Sequence, residues 1–119
     1  MLKKILQALD LFKLAGMVHC DLKAENILID LDLENKTLRS VKLIDMGQSF
    51  IFSHINEEMI VTTPEYLPPE VLENSASHSC NFDFLNKLNS WSVDVWSLGA
   101  VLLEIIIGYP IWMSYRGRI

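Results

Sequence analysis

"VHCDLKAENILI", Val18 to Ile29, sets His19, Asp21, Lys23, Glu25 and Asn26 between two apolar runs. The flanks pull this segment toward an interior, where each polar group needs a hydrogen-bond partner. The stretch therefore reads as a tight polar turn fixed by apolar neighbours rather than as a solvated loop.

Upstream, Leu2, Ile5, Leu6 and Leu9 recur at helical spacing and Phe12 continues the stripe, while Gly16 stands where a left-handed residue would close the helix. Downstream, "NILID" and "VKLID" are short β-compatible runs separated by "LDLENKTLRS", which predicts a hairpin with a long connection. The second run leads directly into Asp45, Met46 and Gly47. From Gln48 to Val61 no period holds, and the prolines of "TTPEYLPPEVL" delay a helix until about Pro69, a tolerated first-turn residue. "ENSASHSCNFDFLNKLNS" is rich in Ser and Asn and reads as a surface insertion.

"SVDVWSLGAVLLEIIIG" predicts a helix with Ser92 as its cap and Gly108 as its stop, apolar on nearly every face and so suited to burial all round. A membrane span is the rival reading. Asp94, Ser97 and Glu104 interrupt it, and the apolar part is shorter than the ~20 residues a bilayer needs. The fold class expected is mainly α with a short β-hairpin, in one unit.

The composition suits a globular piece: half of the 119 residues are apolar and about a fifth are charged. A net charge of -5 offers no basic field for nucleic acid or an anionic membrane, so neither partner is expected. The two cysteines, Cys20 and Cys80, make neither a disulfide framework nor a zinc pattern. An intracellular, cytoplasmic setting is expected, with the nucleus left open.

In the polar turn Asp21, Lys23 and Asn26 lie close together, and the hairpin can return Asp45 beside them. Asn26 and Asp45 are oxygen ligands of the kind Mg²⁺ takes together with phosphate oxygens. Lys23 can offset phosphoryl charge, and Asp21 can orient a hydroxyl and accept its proton. Taken singly, each has a plainer reading as a turn cap or a solvated cation. His54 and His78, the latter near Cys80, read as solvated loop residues.

As an ordered set, "HCDLKAEN", "IDMG", "TTPEYLPPE" and "DVWSLG" resemble the C-terminal lobe of a eukaryotic protein kinase, serine/threonine type. The resemblance covers nearly all of residues 1–119 as a partial, α+β kinase lobe. It implies ATP-dependent phosphoryl transfer to Ser or Thr of a protein substrate, with ATP and Mg²⁺ as cofactors. Asp21 is then the catalytic aspartate and Lys23 the phosphate-stabilising lysine. Asn26 and Asp45 are the metal ligands, Thr63 bridges Asp21 and Lys23, and Leu28 lies near the adenine. It also implies that His19 packs beneath the metal turn and that Asp94 receives backbone hydrogen bonds from the catalytic loop.

The sequence departs from that pattern in several places. Cys20 replaces the usual arginine, which argues against switching through a phosphorylated activation segment. Met46 replaces phenylalanine, a conservative apolar change. Glu70 matches a glutamate whose arginine partner comes later in the family, and Arg116 and Arg118 stand too early to replace it. The glycine-rich strand pair and lysine-bearing strand of an amino-terminal lobe are missing. The expectation is a gene-model or domain fragment, inactive alone, that depends on a missing lobe or partner chain; the alternative is a non-catalytic remnant used as a binding or regulatory module.

Overall fold

A computed structural model describes residues 1–51, 63–76 and 92–110. Within them, helices combine with two short antiparallel sheets in an α+β arrangement. Helix α1, Leu2–Leu14, turns its Ile5 and Leu9 inward and half-buries Phe12, whereas Leu2 and Leu6 stay exposed. It ends as its spacing predicts: Gly16 adopts φ +67° and donates its N–H to the Lys13 carbonyl at 3.0 Å. The chain then enters β1, Met17–Val18, which pairs with β4, Phe50–Ile51, through Met17↔Ile51 and Val18↔Phe50.

Strands β2, Ile27–Asp32, and β3, Thr37–Leu43, form the hairpin. Its connection is shorter than the sequence suggests, because pairing runs on to Asp32↔Thr37. Asp32 makes the tight reversal possible. Its carboxylate accepts the amides of Glu34 and Asn35, both at 3.1 Å, the Asn35 side chain at 3.0 Å and Arg39 at 3.1 Å. These bonds, those from Asn35 foremost, hold the Asp32 carboxyl below its ordinary range. The register passes from Asp30↔Ser40 to Leu31↔Leu38, so Arg39 is the extra residue of a bulge.

Helix α2, Pro69–Ala76, starts at the proline that ends the loop, and helix α3 spans Ser92–Ile107. Ser92 is the first residue of α3 rather than a cap ahead of it, and Gly108, at φ +95°, closes the helix as expected. The core has two parts. Ile5, Leu9, Leu22 and Leu98 form one, backed by Ile27, Val41, Leu43 and Leu102. Val18, Leu67, Val71 and Val93 form the other. Helix α3 feeds both, yet it is not buried all round: Val95, Trp96 and Leu103 are exposed and border an open apolar groove with Pro64 and Leu67. No helix among the described residues is long and apolar enough to cross a membrane.

The stretch around His78 and Cys80, His54, and Arg116 and Arg118 lie outside the described residues. Among the described residues Glu70 has no ion pair.

Candidate active site

The polar turn hangs between the two core clusters. Val18 anchors its start in one and Leu22 its middle in the other, each burial contributing about 1.5–3 kcal/mol. Between these anchors Cys20 takes φ +65°, a left-handed conformation that costs an L-residue about 1–2 kcal/mol. Asp94 of α3 offsets this: its carboxylate accepts the amide of His19 at 2.8 Å and that of Cys20 at 3.0 Å. Removal from water raises the Asp94 pKa, against the opposing effect of those two amides and His19. Burial also pushes the Cys20 thiol up to about 12, helped by the negative charges of Asp94 and Asp21. This shift favours the neutral S–H form of the thiol.

His19 is fully buried and fixes the next layer. Its Nδ1 lies 3.2 Å from the Asp21 amide, which can only donate, so Nδ1 is the acceptor and Nε2 carries the proton. Nε2 therefore donates to the Ile44 carbonyl at 3.0 Å. The Phe12 ring lies against the imidazole at 5.6 Å, and Ser49 donates to the His19 carbonyl at 3.2 Å. One side chain thus joins the polar turn to the end of β3, immediately before Asp45.

Four of the sequence-predicted site residues form one hydrogen-bonded group. Thr63 Oγ1 donates to Asp21 Oδ1 at 2.8 Å and accepts from Lys23 Nζ at 3.1 Å. Lys23 Nζ lies 3.8 Å from Asp21 Oδ2. Asn26 Nδ2 donates to the Asp21 carbonyl at 2.7 Å and reaches Asp21 Oδ2 at 3.3 Å. Asp21 and Asn26 are buried, whereas Lys23 is partly open to solvent. With both Asn26 amide protons directed at Asp21, its Oδ1 has no donor among the described residues.

Asp45 belongs to the same neighbourhood through the backbone, because the Ile44 amide donates to the Asn26 carbonyl at 2.9 Å. It takes φ +61°, and among the described residues its exposed carboxylate accepts only a long 3.4 Å bond from Gly47 N. The backbone bond thus brings the Asp45 and Asn26 positions near one another, and a carboxylate and a carboxamide oxygen are ligand types that suit a hard divalent cation. Leu28 stands apart from the polar group, half-exposed on β2 opposite Lys42.

Sequence reasoning did not assign Ser97, Glu104 or Tyr66 to this region. Ser97 Oγ donates to the Tyr66 carbonyl at 2.7 Å, and the Tyr66 hydroxyl donates to Glu104 Oε2 at 2.7 Å. Burial first, and then Glu104, push the Tyr66 phenol well above its ordinary value, so it remains a donor. The available signal was the recurrence of Asp94, Ser97 and Glu104 on one side of an apolar helix.

Residues 1–118 match the protein kinase domain family. The chain is 35% identical over 111 residues to homeodomain-interacting protein kinase 4 of Mus musculus, covering 92% of this chain and 16% of that protein. It is 35% identical over 107 residues to cGMP-dependent protein kinase 2 of Mus musculus, covering 89% of this chain and 12% of that one. To probable serine/threonine-protein kinase 2 of Plasmodium falciparum (isolate K1 / Thailand) it is 34% identical over 118 residues, 98% of this chain and 19% of the relative. The chain thus spans less than a fifth of the length of these relatives.

Proposed function

The chain belongs to the protein kinase domain family, and we propose on that premise that it supplies the catalytic loop of an ATP-dependent serine/threonine protein kinase. The observation that carries this reading is the hydrogen-bonded Asp21–Thr63–Lys23–Asn26 group, in which two segments distant in sequence, the polar turn and the residue before Pro64, converge on one buried carboxylate. Phosphoryl transfer depends mainly on positioning and fixed charge, and a pinned aspartate beside an ammonium fits that need.

In this reading Asp21 orients the substrate hydroxyl. Thr63 holds Oδ1, so Oδ2, with its looser contacts at 3.3 and 3.8 Å, is the atom that takes the proton. As the proton leaves, the hydroxyl oxygen bonds to the γ-phosphorus and the bond to the β–γ bridging oxygen breaks, releasing ADP. Lys23 offsets charge on the transferring group. Asn26 Oδ1 and the Asp45 carboxylate would hold Mg²⁺, which when bound neutralises phosphate charge. Leu28 offers an apolar surface for the adenine.

We read residues 1–119 as part of a carboxy-terminal lobe that needs an amino-terminal lobe to close the nucleotide site, and is inactive alone. The protein would work inside the cell, in the cytoplasm, where ATP is available. The test is transfer of phosphate from ATP to a serine-containing peptide by the complete gene product, with Asp21→Asn as the comparison. A loss of at least ~100-fold in the variant is expected. Equal rates in both would remove Asp21 from the chemistry, and no turnover in either would favour a non-catalytic binding module.

A further inference from the structure

We infer that Ser49 is a positioning residue for Asp45: the bond from its hydroxyl to the His19 carbonyl fixes the far side of the turn that presents the Asp45 carboxylate. This rests on the function proposed above and extends the cation-holding machinery to a side chain that is not itself one of the two ligands.

The geometry carries the inference. Asp45 opens the single turn Met46–Gln48 and takes φ +61°, a left-handed conformation disfavoured for an L-residue, so the turn needs holding on both sides. On the near side His19 Nε2 donates to the Ile44 carbonyl at 3.0 Å. On the far side Ser49 acts twice. Its amide donates to the Met46 carbonyl at 2.9 Å and closes the turn, while its hydroxyl donates to the His19 carbonyl at 3.2 Å and ties the turn down. Ser49 Oγ also lies 3.8 Å from Met46 Sδ, but a thioether is a weak acceptor, so the single hydroxyl proton stays with the carbonyl. His19 therefore grips both flanks of Asp45, one with its ring and the other with its backbone. The strand pair that follows, Val18↔Phe50 and Met17↔Ile51, has two residues on each side, too few to fix the turn unaided. Without the Ser49 hydroxyl, Asp45 stays anchored at Ile44 and loosens at its other end. Its carboxylate then spreads over positions that do not all suit one cation shared with Asn26, and affinity falls through lost preorganisation.

The test uses the complete gene product saturated with ADP, with Mn²⁺ as the probe cation and electron paramagnetic resonance as the readout of free Mn²⁺. Ser49→Ala should raise the Kd for Mn²⁺ about fivefold, the effect of one neutral hydrogen bond, and Ser49→Thr, which keeps the hydroxyl, should stay within about twofold of the parent. In phosphate transfer, the Mg²⁺ concentration for half-maximal rate should rise by the same factor in Ser49→Ala while KM for the peptide holds, a split that a general loosening of the fold would not produce. Unchanged Mn²⁺ affinity in Ser49→Ala, or Ser49→Thr as weak as Ser49→Ala, would overturn the inference. If Ser49→Ala does not fold, Ser49→Cys, a weaker donor of similar size, takes its place with a smaller rise expected in the same direction. If the unmutated protein transfers no phosphate, the proposed function fails and the Mn²⁺ titration still decides this inference. If it binds no Mn²⁺ either, amide hydrogen exchange in the cation-free protein decides. Faster exchange at residues 44 and 49 in Ser49→Ala, after correction for intrinsic rates, supports the inference, and unchanged exchange overturns it.

Discussion

Replacing Asp94 with alanine should be among the most damaging single changes in the described residues. The side chain is 3% exposed and accepts two amides, from His19 at 2.8 Å and Cys20 at 3.0 Å. Alanine strands both donors in an interior with no replacement acceptor, and each stranded group costs about 1–3 kcal/mol. Part of that is returned because a carboxylate no longer has to be buried, the same penalty that raises the Asp94 pKa. The balance is about 3 kcal/mol, which for a chain of this size lowers Tm by roughly 15 °C. Asparagine keeps one acceptor and should cost about half as much. Thermal and urea unfolding measure both, with exposed Asp30→Ala as the control, expected within ~0.5 kcal/mol of the parent. If Asp94→Ala unfolds at the same temperature as Asp30→Ala, the left-handed turn at Cys20 is held by something else and the anchoring argument fails.

The raised Cys20 pKa gives a signed pH dependence. Below the ordinary value of 9.0 the thiol is protonated in both states and its contribution is intact; above it the unfolded chain ionises first, so stability is lost progressively as pH rises toward about 12. Urea midpoints from pH 8 to 11 should fall more steeply for the parent than for Cys20→Ser, and parallel curves would contradict this. In α1, fully buried Ile5→Ala should cost about 3 kcal/mol, whereas Leu11→Ala, 67% exposed, should cost under ~0.5 kcal/mol. Equal losses in denaturant unfolding would mean that the helix packs through its other face.

Local signals carried much of the fold. Helix α1 and its glycine stop followed from spacing and one left-handed position, and α3 followed from its apolar run. The hairpin was legible, but its length was not, because the short reversal depends on how many donors Asp32 collects, among them Arg39 from across the turn. The β1–β4 pair was invisible because each strand has only two residues, too few for any period. At the site, motif order pointed to Asp21, Lys23, Asn26 and Thr63, which share hydrogen bonds in the structure. Position in a motif says nothing about which atom meets which. The His19 tautomer, the Asn26 Oδ1 left without a donor among the described residues and the Tyr66–Glu104 bond all come from contacts between residues 25 and 38 positions apart or from local turn geometry.

Helix α3 shows why hydropathy alone misread burial. Its sequence is apolar nearly all round, yet Asp94 and Ser97 are 3% and 1% exposed while Val95 and Trp96 are 56% and 50% exposed. The buried side of the helix is where its polar groups lie. A lone polar side chain would resist that placement, but here each meets a loop whose own backbone groups need partners: the amides of His19 and Cys20, and the carbonyl of Tyr66. Burial of Asp94 and Ser97 is therefore stable only while the two loops stay docked, and the loops stay docked only while those acceptors and donors are buried. This mutual dependence couples the positions of Asp21 and Thr63 to one rigid helix, which is what a site relying on fixed geometry requires.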